Sequence, residues 1–185
     1  DTAFFDKGPK FLHYQPHICV LTSIEFDHAD IFPDLQAVEN AFSQLVTSIP
    51  ADGLLIANAD DPGASRLSKK ARCRLVTYGL QEPAHMRGEM AEYTVGTTRF
   101  TVSGPQGFEA SFNSPLAGAH NLSNTLSMVS LAHELGLNPE TIQKTLTSFR
   151  GVHRRQEVRG EPDGITVVDD YAHHPTAVQA TLEAL

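Results

Sequence analysis

The chain has 185 residues, a formal net charge of -8 and a hydrophobic fraction of 41%. This length suits one domain, or one domain with part of a second, and the apolar content is sufficient for a normal globular core. The acidic balance excludes a nucleic-acid footprint, because no basic stripe can replace the counterions on phosphate. No apolar run reaches the length of a membrane span, and no signal peptide is recognisable. We therefore expect neither nucleic acid nor membrane among its partners.

The two cysteines are far apart in the sequence and belong to no Cys-x-x-Cys motif. Cys19 lies in an apolar run and Cys73 lies between two arginines. This spacing fits neither a disulfide framework nor a zinc knuckle. A reducing, cytoplasmic setting is the simplest interpretation.

The first half of the chain alternates predicted strands with predicted helices. The near-continuous apolar run at residues 18–24 predicts a central parallel strand. Asp34 suits the N-cap of an amphipathic helix over residues 35–49. The pattern then predicts a strand at residues 54–57, a short helix at 64–70 and a strand at 74–78. This βαβαβ alternation indicates an α/β fold with a mostly parallel sheet flanked by helices.

From residue 81 onward the pattern changes to short alternating segments separated by glycine. Three such segments, residues 92–95, 99–102 and 108–112, predict a small antiparallel meander. A mostly buried helix is predicted over residues 122–135, and Asn138 suits the cap of a further helix. We expect a domain boundary near residues 149–151.

The last part of the chain contains the densest cluster of chemically active side chains. Residues 165–168 form a β-branched apolar run, which predicts a strand covered on both faces. A helix that begins at Pro175 follows. Ligands of open α/β sheets bind at the carboxyl ends of strands, where this cluster would lie. Solvated loop acids and helix caps are the alternative interpretation of its two aspartates. The cluster consists of Asp169, Asp170, Tyr171, His173 and His174.

A second polar cluster follows the first predicted strand. His28 shares a loop with Glu25, Asp27 and Asp30. Imidazole and carboxylate ligands suit a divalent ion, and oxygen-rich surroundings favour Mg²⁺ or Mn²⁺ over Zn²⁺. A histidine that caps the following helix or bridges two acids is the alternative.

Two further groups suit a bound nucleotide. Asn121 follows a loop of small residues, and its carboxamide offers a donor and an acceptor to the edge of adenine. An N-cap role is the alternative for this asparagine. Arg154 and Arg155 are adjacent in a segment predicted to be extended, so that one guanidinium points inward and can clamp phosphate oxygens. A surface pair that bridges to Glu157 is the alternative.

Several blocks of the sequence together resemble the Mur ligases, the ATP-dependent amide-forming enzymes of bacterial peptidoglycan synthesis. One is Gly-Val-x-Arg-Arg-x-Glu at residues 151–157, followed by Asp-Asp-Tyr-Ala-His-His-Pro-Thr at residues 169–176. The others are Glu-Phe-Asp-His-Ala-Asp at residues 25–30 and Gly-Ala-His-Asn-Leu-Ser-Asn at residues 118–124. The opening residues 1–7 and 10–14 narrow the resemblance to the branch that recycles murein tripeptide.

The resemblance implies a division into two domains. Residues 1–149 would form an incomplete central ATP-binding domain, and residues 150–185 would form the first β-α unit of a Rossmann-like C-terminal domain. No Gly-x-x-x-x-Gly-Lys-[Ser/Thr] phosphate loop occurs in the sequence. In the family that loop lies upstream of the segment matching Asp1, so we interpret the chain as an internal fragment that is inactive by itself.

The resemblance also implies the cofactors ATP and Mg²⁺ and the residues that bind them. His28 matches the family's metal-ligating histidine, Asn121 its adenine-binding asparagine and Asp170 its ribose-binding aspartate. Asn124 would line the same helix face as Asn121, one turn on.

The family motif further favours Arg155 over Arg154 for the nucleotide phosphates, although both remain candidates. His173 is expected near the nucleotide or the acyl phosphate, so Arg155 and His173 are the candidate catalytic residues. Asp169 and His174 are expected to have structural or supporting roles, and Tyr171 either stacks on the base or packs.

The implied reaction joins UDP-N-acetylmuramate to an amine. The lactyl carboxylate attacks the γ-phosphate of ATP, and the amine then displaces phosphate from the acyl phosphate through a tetrahedral intermediate. In the recycling branch the amine belongs to the tripeptide L-Ala-γ-D-Glu-meso-diaminopimelate, and L-alanine is the alternative amino substrate.

Two functions of other classes remain as alternatives. One is a metallohydrolase built on histidines, for which the sequence offers no His-Glu-x-x-His motif. The other is a non-catalytic nucleotide-binding module. The histidines of the first alternative are His28, His120, His173 and His174.

Overall fold

The computed structural model describes residues 8–94 and 97–185. The opening block at residues 1–7 and the predicted strand end at Val95 lie outside the described residues. Short 3-10 turns occur at Lys10–His13, Pro105–Gly107 and Pro162–Gly164. The strands are β1 (Ile18–Leu21), β2 (Leu54–Asn58), β3 (Arg74–Gly79), β4 (Met86–Thr94), β5 (Thr97–Ser103), β6 (Glu109–Ser114), β7 (Glu157–Gly160) and β8 (Val167–Asp169). The helices are α1 (Leu35–Ser48), α2 (Pro62–Ser68), α3 (Ala119–Glu134), α4 (Pro139–Ser148) and α5 (Pro175–Ala184).

Strands β1 to β6 form a single mixed sheet in which their spatial order follows the sequence. Strands β1, β2 and β3 are parallel, with Ile18 opposite Leu54 and Leu54 opposite Arg74. Strand β4 pairs in parallel with β3 at Tyr78 and Met86, and then antiparallel with β5, which pairs antiparallel with β6. The predicted parallel sheet and antiparallel meander are therefore confirmed, and they are continuous with each other.

The first strand is shorter than predicted. It ends at Leu21, which lies opposite Ala57 of β2. Strand β2 ends one residue later, at Asn58, so pairing cannot continue along the apolar run to residue 24. The polar loop that contains His28 therefore begins directly beyond the pairing of β1 with β2.

Both faces of the sheet are covered, which explains why β2 is apolar along its whole length. Leu54 and Ile56 belong to a core cluster formed with α3 and α4. Leu55 and Ala57 belong to a second cluster formed with α1 and α2. Successive strand residues point to opposite faces, so a strand between two helical layers requires apolar residues at every position.

Side-chain N-caps begin three of the helices, and two of these caps, Asp34 and Asn138, were predicted from the sequence. Asp34 Oδ1 accepts a 2.8 Å hydrogen bond from the Ala37 backbone N–H at the start of α1. Asn138 Oδ1 does the same for Thr141 in α4, also at 2.8 Å. Asp61 caps α2. Each such cap contributes about 1 kcal/mol to helix stability.

The loop after β2 contains Asp60, whose carboxylate has a structural role. The Asp60 carboxylate accepts backbone hydrogen bonds from Leu80, Gln81 and Glu82, at distances between 2.6 and 3.1 Å. These bonds fix the connection between β3 and β4.

Within the described ranges, no helix is long and apolar enough to cross a membrane.

The C-terminal part contains the predicted helix and a strand that differs from its prediction. Strand β8 begins at Val167 and pairs antiparallel with β7. Within the described part of the chain it has no other strand neighbour. Ile165 and Val167 are therefore 67% and 45% exposed, and the prediction of a strand covered on both faces is wrong for this chain.

Candidate functional site

A large cleft lies where the loop after β1, the start of α3 and the polar loop before α5 meet. Its volume is about 1240 Å³. Most of the side chains predicted for the site line this cleft, although they come from distant parts of the sequence, whereas Arg154 does not line it. The predicted residues in its walls are His28, Asn121, Asn124, Arg155, Asp170 and His173.

A glycine at the start of α3 allows this arrangement. Gly118 has φ of 88°, a left-handed conformation that side-chain-bearing residues rarely adopt. A Cβ atom at this position would lie 2.5 Å from the Cβ of Ala184 in α5. The close approach of α5 to the start of α3 therefore depends on the missing side chain, and it brings the two sides of the cleft together.

Asn121 and Asp170 are connected through one intervening residue, Gln156. The Asn121 amide Nδ2 donates to the Ala117 carbonyl at 2.7 Å and to Gln156 Oε1 at 2.9 Å. The backbone N–H of Gln156 donates to Asp170 Oδ2 at 2.8 Å. The other Asp170 oxygen accepts from the Ala172 N–H at 2.7 Å. The two side chains that the resemblance assigns to adenine and ribose are thus parts of one hydrogen-bonded array.

This hydrogen-bonded array excludes the N-cap alternative for Asn121 and adds Gln156 to the candidate site. Asn121 is not the N-cap of α3, because Gly118 occupies that position. Gln156 was not predicted as a site residue, and the sequence gives no signal for it. A glutamine between charged residues is typical of a solvated surface, and its partner Asn121 is distant in sequence.

The segment containing Arg154 and Arg155 is a turn, so the prediction of an extended segment is wrong. Arg154 has φ of 58°, and the Arg155 N–H donates to the Val152 carbonyl at 3.1 Å. The alternation of inward and outward side chains therefore does not apply here. The two guanidinium groups instead lie 4.9 Å and 5.4 Å from the centroid of the Tyr171 ring, within the range of cation–π attraction. Only Arg155 also lines the cleft.

Glu157 is not the partner of the arginine pair's side chains. Its carboxylate accepts from the backbone N–H of Arg154 at 2.9 Å and pairs with Arg159 at 2.8 Å. The Arg154 N–H, with His153 and Arg159 contributing less, lowers the pKa of Glu157. The carboxylate therefore stabilises the turn that presents Arg155.

His28 lies beside Asp27 at the edge of the cleft. The His28 backbone N–H donates to Asp27 Oδ1 at 2.6 Å, and His28 Nε2 lies 3.9 Å from Asp27 Oδ2. That backbone hydrogen bond is the main cause that lowers the pKa of Asp27, and the positive charges of nearby histidines lower it further. His28 does not cap α1, because Asp34 does.

The donor set around His28 fits Mg²⁺ only if a bound substrate and water complete the coordination. Over residues 8–94 and 97–185, no group of three or more His, Cys, Asp or Glu side chains is placed to hold a metal ion. Mg²⁺ commonly retains water and binds through one or two protein ligands plus substrate phosphates, so His28 with Asp27 meets that requirement. The same absence leaves the metallohydrolase alternative without a ligand cluster among these residues.

The remaining histidines have distinct surroundings. His174 Nδ1 lies 3.3 Å from Glu25 Oε2, and its Nε2 lies 3.3 Å from the Phe26 carbonyl oxygen. His173 lines the cleft, with Nδ1 3.1 Å from the Tyr171 carbonyl oxygen. His120 also lines the cleft. Burial lowers the pKa of His120, while the negative charge of Asp170 opposes that change.

Family models match most of the chain. The Mur ligase middle domain matches residues 8–132. The Mur ligase glutamate ligase domain matches residues 153–185. Together the two matches include every candidate site residue predicted from the sequence.

Two curated relatives are similar along nearly the whole chain. A UDP-N-acetylmuramate–L-alanine ligase from Salinibacter ruber is 41% identical over 174 residues, 94% of this chain and 37% of the relative. A UDP-N-acetylmuramate–L-alanyl-gamma-D-glutamyl-meso-2,6-diaminoheptandioate ligase from Haemophilus influenzae is 38% identical over 192 residues. That alignment covers 100% of this chain and 40% of the relative. The chain thus spans well under half the length of either protein.

A solved structure supports the same relationship. The murein peptide ligase from Psychrobacter arcticus superimposes with a TM-score of 0.74 and 32% sequence identity. The superposition covers 99% of this chain and 37% of that protein. The matched family consists of ATP-dependent ligases, and its middle-domain match alone covers more than half of the residues. The chain therefore belongs to the Mur ligase family.

Proposed function

We propose that the protein containing this chain is an ATP-dependent carbon–nitrogen ligase of peptidoglycan recycling. It would join UDP-N-acetylmuramate to the amine of the tripeptide L-Ala-γ-D-Glu-meso-diaminopimelate. The observation that carries this proposal is the cleft in which Asn121, Arg155, Asp170 and His173 converge from both parts of the chain. A carboxamide, a guanidinium, a carboxylate and an imidazole in one cleft suit a purine nucleotide and its phosphates.

The tripeptide is the preferred amino substrate because two relatives named as ligases of murein peptides align with essentially all of this chain. Coverage reaches 100% for the Haemophilus ligase and 99% for the Psychrobacter structure. The second candidate is L-alanine, which the 41% identity to the Salinibacter ligase favours. Both candidates share the nucleotide site and the muramate substrate.

The nucleotide contacts follow from the hydrogen-bonding capacity that the array leaves available. Asp170 accepts one backbone N–H on each oxygen, and each carboxylate oxygen has a further lone pair for a ribose hydroxyl. Asn121 would face the adenine base, with Asn124 one helical turn further along the same wall. Arg155 would neutralise charge on the phosphates or on the acyl phosphate.

The acyl transfer needs positioning and charge neutralisation more than covalent help from the protein. Arg155 is presented to the cleft by a turn that Glu157 stabilises and by the ring of Tyr171. His173, fixed next to Tyr171, would lie near the site where the amine attacks. His28, with Asp27 beside it, would hold Mg²⁺. When bound, that ion would supply positive charge to the phosphate being transferred.

The cleft also supports a division of the chain into two domains. We infer that residues up to 149 belong to a central ATP-binding domain and that residues 150–185 begin a C-terminal domain, with the nucleotide between them.

A cytoplasmic location suits the two free cysteines. Burial raises the pKa of the Cys19 thiol, so it is a poor nucleophile.

The test is a ligation assay on the full-length protein that contains this chain. ATP, Mg²⁺ and UDP-N-acetylmuramate are supplied with either the tripeptide or L-alanine, and the muramyl product and released phosphate are quantified. We expect product with the tripeptide at a kcat/KM at least about tenfold above that with L-alanine. A reversed preference would favour the second candidate. ATP binding without any product would favour the non-catalytic nucleotide-binding module.

A further inference from the structure

The contact between Asn121 and Gln156 fixes the orientation of both carboxamides. The Ala117 carbonyl can only accept a hydrogen bond, so the Asn121 atom 2.7 Å away must be the amide nitrogen. That nitrogen also lies 2.9 Å from the Gln156 side chain. The facing Gln156 atom must therefore be its acceptor, Oε1. The hydrogen-bonding chemistry of the two partners therefore defines how both carboxamides are oriented.

Both amide hydrogens of Asn121 are consumed by these two bonds. A carboxamide has two N–H donors and one carbonyl acceptor. With the donors directed to Ala117 and Gln156, only the Oδ1 acceptor of Asn121 remains for a ligand in the cleft. Asn121 therefore presents one acceptor, rather than a donor–acceptor pair, to whatever binds there.

Gln156 is itself held by a backbone hydrogen bond, in a conformation and an environment that are unfavourable for a glutamine. Its backbone N–H is bonded to Asp170, and its φ of 49° lies in the left-handed region. Its Nε2 is buried and has no hydrogen-bond partner among the described residues. Burying an unpaired donor is unfavourable, so apolar packing does not explain a glutamine at this position.

We propose that Gln156 is a positioning residue that sets the base selectivity of the nucleotide site. It holds Asn121 so that Oδ1 accepts from the exocyclic amine of adenine, while the N7 atom of the base receives no hydrogen bond from Asn121. A 6-oxo base would place its carbonyl oxygen against Oδ1, and two acceptors repel. The inference rests on the proposed function, because it assumes that adenine lies against Asn121.

Binding of base-altered nucleotides to the unaltered full-length protein tests this directly. ATP, 7-deaza-ATP and ITP are titrated by calorimetry in the absence of the muramate and amino substrates. We expect 7-deaza-ATP to bind within about twofold of ATP, and ITP to bind at least about tenfold more weakly. A tenfold loss with 7-deaza-ATP, or equal binding of ITP, would overturn the proposal.

A double-mutant cycle separates Gln156 from the site as a whole. The variants are Gln156→Met, Asn121→Ala and the double variant, each checked for an unchanged thermal transition. We expect Gln156→Met to reduce the ATP-to-ITP preference at least about threefold and to raise the ATP KM more than it lowers kcat. In the Asn121→Ala background, Gln156→Met should have no further effect on either quantity.

The outcomes distinguish two kinds of failure. If Asn121→Ala lowers ATP affinity and selectivity but Gln156→Met changes neither, Gln156 is only a structural residue and the inference fails. If Asn121→Ala also changes neither quantity, adenine does not lie at Asn121 and the nucleotide site of the proposed function fails with it. If Gln156→Met does not fold, the comparison of ATP, 7-deaza-ATP and ITP on the unaltered protein decides.

Discussion

Glu25 and Thr176 connect the two sides of the cleft directly. The Thr176 hydroxyl, at the start of α5, donates a 2.8 Å hydrogen bond to Glu25 Oε2 in the loop after β1. The same carboxylate oxygen lies 3.3 Å from His174 Nδ1. The loop that contains His28 is therefore attached to the segment that contains Asp170 and His173, so a displacement of either side alters the whole site.

Removing this connection should impair catalysis more than folding. Thr176→Val keeps the side-chain shape and deletes the donor. An exposed hydrogen bond contributes about 0.5–1.5 kcal/mol, so we expect kcat/KM to fall about twofold to tenfold. The matched control is Thr47→Val, because the Thr47 hydroxyl donates to backbone carbonyls within α1, away from this contact. Equal kinetics for both variants would show that the contact between Glu25 and Thr176 does not organise the site.

The two adjacent arginines should differ sharply in function. Arg155 lines the cleft, whereas Arg154 is directed toward Asp169, with Nε 3.8 Å from Oδ1. Losing a hydrogen-bonded charge on a phosphate costs about 1.5–3 kcal/mol, so Arg155→Met should lower kcat/KM roughly tenfold to a hundredfold. Arg154→Met is the control and should stay within about threefold of the parent. A larger loss in the Arg154 variant would reverse the assignment.

The Mg²⁺ dependence of the rate tests the metal assignment. We expect His28→Ala to raise the Mg²⁺ concentration needed for half-maximal rate and to lower the maximal rate about tenfold or more, because the charge on the transferred phosphate is less well neutralised. His17→Ala serves as the control, since the side chain of His17 is exposed and is not among the residues that line the cleft. If the Mg²⁺ curve of the His28 variant superimposes on that of the parent, His28 is only a loop residue.

We expect Glu157 to make the free energy of unfolding depend on pH. Its pKa is lowered from the ordinary value of 4.5, chiefly by the Arg154 backbone N–H. A carboxyl group with a lowered pKa in the folded state stabilises the protein above its unfolded pKa, and this contribution is lost as pH falls through the folded pKa. Glu157→Gln should therefore reduce the free energy of unfolding at neutral pH, and its difference from the parent should shrink below pH 4.5. Urea titrations that give a constant difference across this range would contradict the assignment.

The sequence predicted the elements whose determinants are local. The caps at Asp34 and Asn138 were predictable because the donor and acceptor are three residues apart. The buried strands of the parallel sheet were predictable because a strand between two helical layers needs a continuous apolar run. Strand β4 was predicted to begin at residue 92 but begins at Met86. The prediction missed the first half of the strand because arginine, glycine and glutamates interrupt the alternation of apolar and polar residues.

The features that depend on distant neighbours were harder to predict. The apolar run at residues 165–168 indicates burial, but it does not reveal that β8 pairs with β7 alone among the described strands. The turn at Arg154 requires a left-handed φ without the glycine or asparagine that normally signals one. Gln156 acts through Asn121 and Asp170, and neither contact leaves a local pattern. Assignment of the site residues themselves came from the family resemblance and stays a prediction.

The ATP affinity of two neighbouring aspartate variants tests the nucleotide-binding cleft most directly. Asp170 lines the cleft, while Asp169 faces Arg154 and Arg159 outside it. A non-hydrolysable ATP analogue is titrated into full-length Asp170→Asn and Asp169→Asn proteins that share the parent's thermal transition. We predict that Asp170→Asn weakens binding roughly tenfold to a hundredfold, because a charged acceptor of the ribose hydroxyls is lost, while Asp169→Asn stays within about twofold. Parental affinity in the Asp170 variant would contradict the account and move the adenosine site away from this cleft.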